Sequence, residues 1–355
     1  MMERPRSLPT WGVGPGRPGA GWRAWAGFLL VMGMLGLLLE GWWILTVPEP
    51  LRASSRVVEV PAHKSVIEVA EILDEAGVIQ SRVGFVLLAL ARGSFRTLKA
   101  GEYQIPQGSN TVRVLEQIAG GQVLQHMVVF QEGSTLAELA RLLQAERLVS
   151  AADILRVGKD VVFLKTLDIQ ADSVEGYLFP DTYQFVKGMT PEEMLARMVA
   201  RMREKISPEL LAEAQGRGLT LHQLLTLASI IEKEAVESSE MPLISAVFWN
   251  RIKKDMPLQA DPTVQYAVGK DRKRLTREDL QVDSPYNTYR RQGLPPGPIA
   301  SPGRAAIQAA VRPARVNYLY FVALDERFHT FSSNLADHNA AVARYRLARA
   351  AAPNR

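Results

Sequence analysis

The chain runs to 355 residues with 47% apolar side chains, a length that suits an anchor plus two or three folded units with real cores. It has no cysteine, which excludes disulfides, thiolate metal sites, a cysteine nucleophile and a lipoprotein anchor, and its five histidines lack the HExxH spacing of a zinc site. A net charge of +5 suits anionic surfaces or polymers, yet neither a dense basic block nor an aromatic–basic interleave occurs, so nucleic acid is not an expected partner.

Residues 1–23, rich in proline and glycine, read as a flexible cytoplasmic tail. Residues 24–47 are apolar except for Glu40 and reach the roughly 20 residues needed to span a bilayer. Trp22, Trp25, Trp42 and Trp43 flank this core like interfacial belts, and Glu40 sits near the end of the span, within reach of headgroups. Arg4, Arg6, Arg17 and Arg23 precede the segment, while only Arg52 and Arg56 closely follow it. This bias predicts a single-pass anchor in the cytoplasmic (inner) membrane, N-terminus inside and everything after Val47 outside. A cleaved signal peptide is the rival reading; no Ala-x-Ala site follows the apolar run, so an uncleaved anchor is expected.

Residues 57–79 and 127–149 resemble each other at an offset of seventy. Each reads as a short strand, a loop and a capped amphipathic helix. Ser65 with Glu68, and Thr135 with Glu138, fit the capping box. Val66, Val69, Ala70 and Leu73 mark one buried stripe; Leu136, Leu139, Ala140 and Leu143 mark the other. Between them the pattern predicts a helix over 82–92, a strand around Tyr103 and a helix over 111–119. Such βα units make either a plain packed subdomain or a carbohydrate-binding module beside a catalytic domain.

After residue 150 helical periodicity dominates, over 191–204, 208–216, 219–237, 241–254, 303–311 and 334–349, with a strand at 318–323. The fold class is therefore α+β. In the helix from Leu219 to Glu237, Leu221, Leu224, Leu225, Ala228 and Ala235 share one arc at about 100° per residue. Glu232 falls inside that arc, whereas Glu234 lies roughly 200° further round, near Gln223, on the polar side. A carboxyl among leucines has its charged form disfavoured, which is what a general acid at neutral pH requires.

Four polar loops stand out. Glu175-Gly-Tyr-Leu-Phe-Pro-Asp-Thr-Tyr183 gathers aromatic rings and acids, the usual means of holding sugars, although its aromatics fit a packed turn equally well. In Leu258-Gln-Ala-Asp-Pro-Thr-Val264, Gln259 and Asp261 are spaced to share a side, and Asp261 is equally suited to start a helix. Ser284-Pro-Tyr-Asn-Thr-Tyr289 and the proline-rich Gly293–Gly303 form a stiff wall suited to a polymer groove. His329–Asn334 leads into His338-Asn339 at the start of the last helix.

Together with Ala228-Ser-Ile-Ile-Glu-Lys-Glu-Ala235 and Asn334-Leu-Ala-Asp-His-Asn339, these strings closely resemble the YceG-like endolytic murein transglycosylases over about residues 55–347. The resemblance implies a LysM-like subdomain at 55–125, a catalytic domain at 126–347 and a tail at 348–355. It implies cleavage inside nascent peptidoglycan strands, leaving 1,6-anhydro ends, with cell-wall synthases as partners and with neither cofactor nor metal. The family's essential glutamate matches Glu232. Glu175, Tyr177, Asp181, Gln259, Asp261, Asn287, Tyr289, His338 and Asn339 are the residues expected to bind the strand. Tyr177, Phe179 and Tyr183 stand where the family often has tryptophan, and Ala260 where it is often polar. Two other readings remain: a hydrolase, if Glu175 stands near Glu232 at two-carboxylate spacing, and a non-enzymatic wall-binding scaffold.

Overall fold

The computed structural model describes residues 21–46, 55–269 and 274–351. Residues 1–20, including Arg4, Arg6 and Arg17, lie outside the described residues, as do Arg52 and residues 352–355 of the C-terminal tail. Helix α1, Gly21–Thr46, carries the apolar segment Trp25–Trp43. Its 26 residues extend about 39 Å, more than the hydrocarbon core of a bilayer. Among the described residues it alone is long and apolar enough to cross a membrane, as an anchor or a signal segment does.

The chain divides between Leu124 and Gln125 into two compact units. The first runs β1 (Arg56–Val60), α2 (Val66–Glu75), α3 (Arg82–Ala91), β2 (Gly101–Ile105) and α4 (Thr111–Gly120). β1 and β2 pair antiparallel, from Arg56 opposite Ile105 to Val60 opposite Gly101. Strand alternation turns Val58, Val60, Tyr103 and Ile105 into a core with Leu73, Phe85, Leu115 and Ile118. Tyr103 is fully buried, and its hydroxyl donates to Lys99 O at 2.7 Å, so its polar atom is satisfied. The Ser65–Glu68 capping box closes the first turn of α2 in both directions.

The second unit repeats the opening and then extends it. β3 (Gln125–Val129) is followed by α5 (Leu136–Ala145), α6 (Ala151–Val157) and α7 (Val161–Thr166) before β4 (Thr182–Val186). β3 and β4 pair antiparallel, and the Thr135–Glu138 capping box is made. Then come α8 (Pro191–Lys205), α9 (Pro208–Gly216), α10 (Leu221–Glu234), α11 (Met241–Lys253), α12 (Asp261–Val268) and α13 (Arg304–Val311). The hairpin β5 (Tyr320–Ala323), β6 (His329–Ser332) and the last helix α14 (Leu335–Ala351) close the unit. The mixed α+β class holds. Three elements reach into segments whose composition suggests loops: β4 starts at Thr182, α12 starts at Asp261, and β6 takes His329–Ser332.

The central element is α10. Every residue from Leu224 to Ile231 is buried. It packs against α9, α11, α12 and α13, so protein surrounds it on several sides. A helix that is apolar nearly all round is a buried helix rather than a surface one. Each enclosed leucine or isoleucine contributes about 1.5–3 kcal/mol of transfer free energy. This encasement also decides where the carboxylates at the helix end must go.

Candidate active site

Three stretches of backbone meet at the C-terminal end of α10. The first is the helix itself. The second is the proline-rich segment, anchored when Ile299 N donates to Ser229 Oγ at 3.1 Å and Gly303 N donates to Glu232 Oε2 at 2.9 Å. The third is the turn 131–134, laced to the second by Gly133 N to Ser301 O at 2.9 Å and Ser301 N to Ser134 O at 2.8 Å. Lys233 Nζ donates to Gly133 O at 3.3 Å and ties the turn to the helix.

Glu232 sits at this junction, half-buried. Burial pushes its carboxyl above the ordinary value; the Gly303 N–H opposes this, the Glu132 charge adds to it, and Lys233 opposes it. The helical arc set Glu232 inward; the structure makes it half-buried, the same burial as Glu234.

The expectation for Glu234 was an outward, solvated position, and here the structure differs. Because α10 is packed by its neighbours, its far side at this end is partly covered by protein and not freely solvated. Glu234 is half-buried, and burial pushes its carboxyl up to about 8, with the Asp261 charge adding and Arg251 opposing. Around it lies a second polar group. Asp261 Oδ1 accepts from Tyr289 Oη at 2.6 Å. Arg251 is 7% exposed; it donates through Nε to Leu319 O at 2.7 Å and through Nη1 to Leu258 O at 2.9 Å and Gln259 Oε1 at 3.2 Å. Its guanidinium lies 5.3 Å from the centroid of Tyr320, whose other neighbour is the stacked ring of His338 at 5.1 Å. Burial holds the His338 imidazole below its ordinary value, and Arg251 adds to this. Gln259, Asp261, Tyr289 and His338 are therefore brought together around Arg251 and Tyr320. Asn339 is exposed near the start of α14.

The other expected binding residues have different settings. Asn287 is fully buried; its amide donates to Leu280 O and Val282 O at 3.0 and 2.9 Å, and its Oδ1 accepts from Tyr289 N at 3.0 Å. With every partner inside its own loop, it braces the loop that presents Tyr289. Tyr177, Phe179 and Tyr183 are 4%, 6% and 5% exposed, so they offer no free face to a sugar and serve packing instead. The Tyr177 hydroxyl meets His222 Nδ1 at 2.9 Å, and His222 Nε2 meets Pro296 O at 2.6 Å, which binds this loop to the proline segment. Asp181 is paired with Arg201 at 2.8 Å, and that guanidinium holds its carboxyl below the usual range. It lines a shallow depression with Arg197 and Glu204 of α8.

Glu175 is 7% exposed, and its carboxyl accepts from Leu136 N at 3.0 Å, at the start of α5. It lines a cavity of about 280 Å³ with Lys159, Lys233 and Tyr266. The charges that act on Glu232 are those of Glu132, which raises its carboxyl, and Lys233, which lowers it. Among the described residues no three His, Asp or Glu side chains converge as metal ligands would.

Burial pushes the Glu175 carboxyl up to about 7 from an ordinary 4.5, with the Leu136 N–H opposing. A raised acid of this kind contributes stability that is fully present below the unfolded value and is lost as pH rises through the folded one. Glu175→Gln keeps the acceptor for Leu136 N and removes the ionisation. Its urea midpoint should change less between about pH 5 and pH 8 than that of the wild type; parallel curves would exclude this role. Glu234 carries the same sign and remains in both proteins.

A model of the YceG-like family matches residues 58–344. An endolytic murein transglycosylase of Bacillus subtilis is 33% identical over 315 residues, 84% of this chain and 87% of that protein. One of Streptococcus pneumoniae is 30% identical over 335 residues; the match spans 83% of this chain but only 60% of the relative's length. The crystal structure of a YceG-like protein from Listeria monocytogenes is 34% identical, with a TM-score of 0.58 over 81% of this chain and 98% of its own.

Proposed function

This chain belongs to the YceG-like family, and on that footing we propose that it is an endolytic murein transglycosylase with Glu232 as its acid and base. The observation that carries the proposal is the half-buried Glu232 carboxyl, raised above its ordinary value and held by a backbone N–H where three segments converge.

Protonated Glu232 gives its proton to the glycosidic oxygen between N-acetylmuramic acid and N-acetylglucosamine as the C1–O4 bond breaks. The resulting carboxylate takes the proton of the muramic 6-hydroxyl as O6 bonds to C1. The products are a free 4-hydroxyl and a 1,6-anhydro end. No water is consumed, and the carboxyl ends as it began. A hydrolase instead uses two carboxyls, about 5–9 Å apart. Gln259, Asp261, Tyr289, His338 and Asn339 are the groups that orient the strand, with Asn287 fixing the loop of Tyr289. Glu175 shapes the cavity beside Lys233, while Tyr177 and Asp181 hold the surrounding scaffold.

The finer placement belongs to the same proposal. Helix α1 is an uncleaved anchor, N-terminus cytoplasmic, and the rest of the chain works outside the cytoplasmic membrane near the wall synthases. The β1–α2–α3–β2 order with an antiparallel strand pair supports a LysM-like, glycan-binding first unit. Glu132 beside Glu232 supports one alternative, a two-carboxylate hydrolase. Incubating the full-length chain with glycan strands in H2 18-O separates the readings by mass. Unlabelled ends, one water lighter than reducing ends, are expected. Labelled reducing ends would mean hydrolysis, and intact strands a scaffold.

A further inference from the structure

One carboxylate at the junction belongs to none of the sequence motifs. Glu132 is exposed and stands in the turn laced to residues 301–303. A Cβ on Gly303 would collide with Glu132 Oε1 and Cδ, so the carboxylate lies directly on the bare α-carbon of that glycine. The same Gly303 donates its N–H to Glu232 Oε2 at 2.9 Å. Next to Glu132, Gly133 is at φ +72°, and a Cβ there would stand 3.7 Å from Glu232 Cγ. One glycine is thus shared by two carboxyls, and the neighbouring turn packs in ordinary contact with the side chain of the acid.

We propose that Glu132 is a positioning residue for Glu232, a negative charge seated on Gly303 that keeps the proton on the acid until the glycan strand arrives. The inference rests on Glu232 being the acid of the reaction. A like charge disfavours ionisation of its neighbour, while solvent around an exposed carboxylate weakens the effect. The other charge facing Glu232 is Lys233, on its own helix, which acts in the opposite sense. Gly303 contributes only its N–H. Glu132 therefore outweighs Lys233 and opposes part of the pull of the Gly303 N–H, and that gives an exposed acid a reason to be held at this point.

The test is a carboxyl 13-C titration of Glu232 in the full-length chain, with the signal assigned by its loss in Glu232→Gln. Glu132→Gln should lower the midpoint by roughly half a unit to one unit, and Glu132→Asp should restore most of it. Gly303→Ala tests the geometry without changing any charge. At φ −77° the backbone accepts alanine, and the new methyl group pushes the Glu132 carboxylate aside. Its midpoint should move in the same direction as that of Glu132→Gln. A midpoint that stays put in both Glu132→Gln and Gly303→Ala overturns the inference. Failure of the transglycosylase reading shows elsewhere, as labelled or absent products from the wild type, and leaves the titration result standing.

Discussion

Glu232→Gln is expected to lower the rate of anhydro-end formation by about 10²–10⁴-fold, the range lost when a general acid–base group is removed. In the proposed mechanism one carboxyl does both proton transfers, so no second group substitutes for it. The amide keeps an oxygen to accept from Gly303 N, and it has nearly the same volume, so the fold should persist. Thermal unfolding should shift by less than about 1 kcal/mol equivalent, because the amide matches the carboxyl in shape and keeps the acceptor for Gly303 N. Glycan digestion followed by mass spectrometry reads the first effect, and circular dichroism the second. A variant that retains a tenth of the wild-type rate while folded would remove Glu232 from the chemistry.

Gly176→Ala is expected to destabilise the second unit by roughly 2–5 kcal/mol, from left-handed strain and overpacking together. Gly176 is at φ +78°, and a Cβ would run into the Pro298 ring and stand 3.3 Å from Ala300 O. Neither obstacle can swing away, since one is a ring in a proline-rich segment and the other is backbone. The same segment carries Gly303 and receives the Tyr177–His222–Pro296 chain, so activity should fall with stability. Urea unfolding measures the loss. A change within about 0.5 kcal/mol would mean that the two loops are not packed as described.

These two positions show what the sequence made legible. Helix stripes and caps are local, and they were readable: Val69, Ala70 and Leu73 are buried as expected, as are Leu136, Leu139, Ala140 and Leu143, and both capping boxes form. Val66, expected in the first stripe, is only half-buried. Local periodicity set Glu232 inward and Glu234 outward, yet both are half-buried. A helical arc assumes one fully solvated side, and the end of α10 has protein against it on more than one side. The aromatics of 177–183 were ambiguous for a similar reason, since a ring built for packing and one built for stacking look alike in composition. Glu132 lies 100 positions before Glu232, and the tertiary contacts of its turn with Gly303, Ser301 and Lys233 bring the two together. A glycine turn just before a capping box was the one available signal. Arg251 was missed because it is satisfied largely by carbonyls, which leave no pattern of opposite charge to read.

The claim beneath all of this is that Glu232 begins the reaction carrying its proton. The pH dependence of kcat/KM for anhydro-end formation by the full-length wild-type chain tests it most directly. The account predicts a rate that declines as pH rises through the raised ionisation of Glu232, because the proton needed by the leaving oxygen is then gone. A rate that climbs with pH across that same range would show that the ionised carboxylate is the working form, and would contradict it.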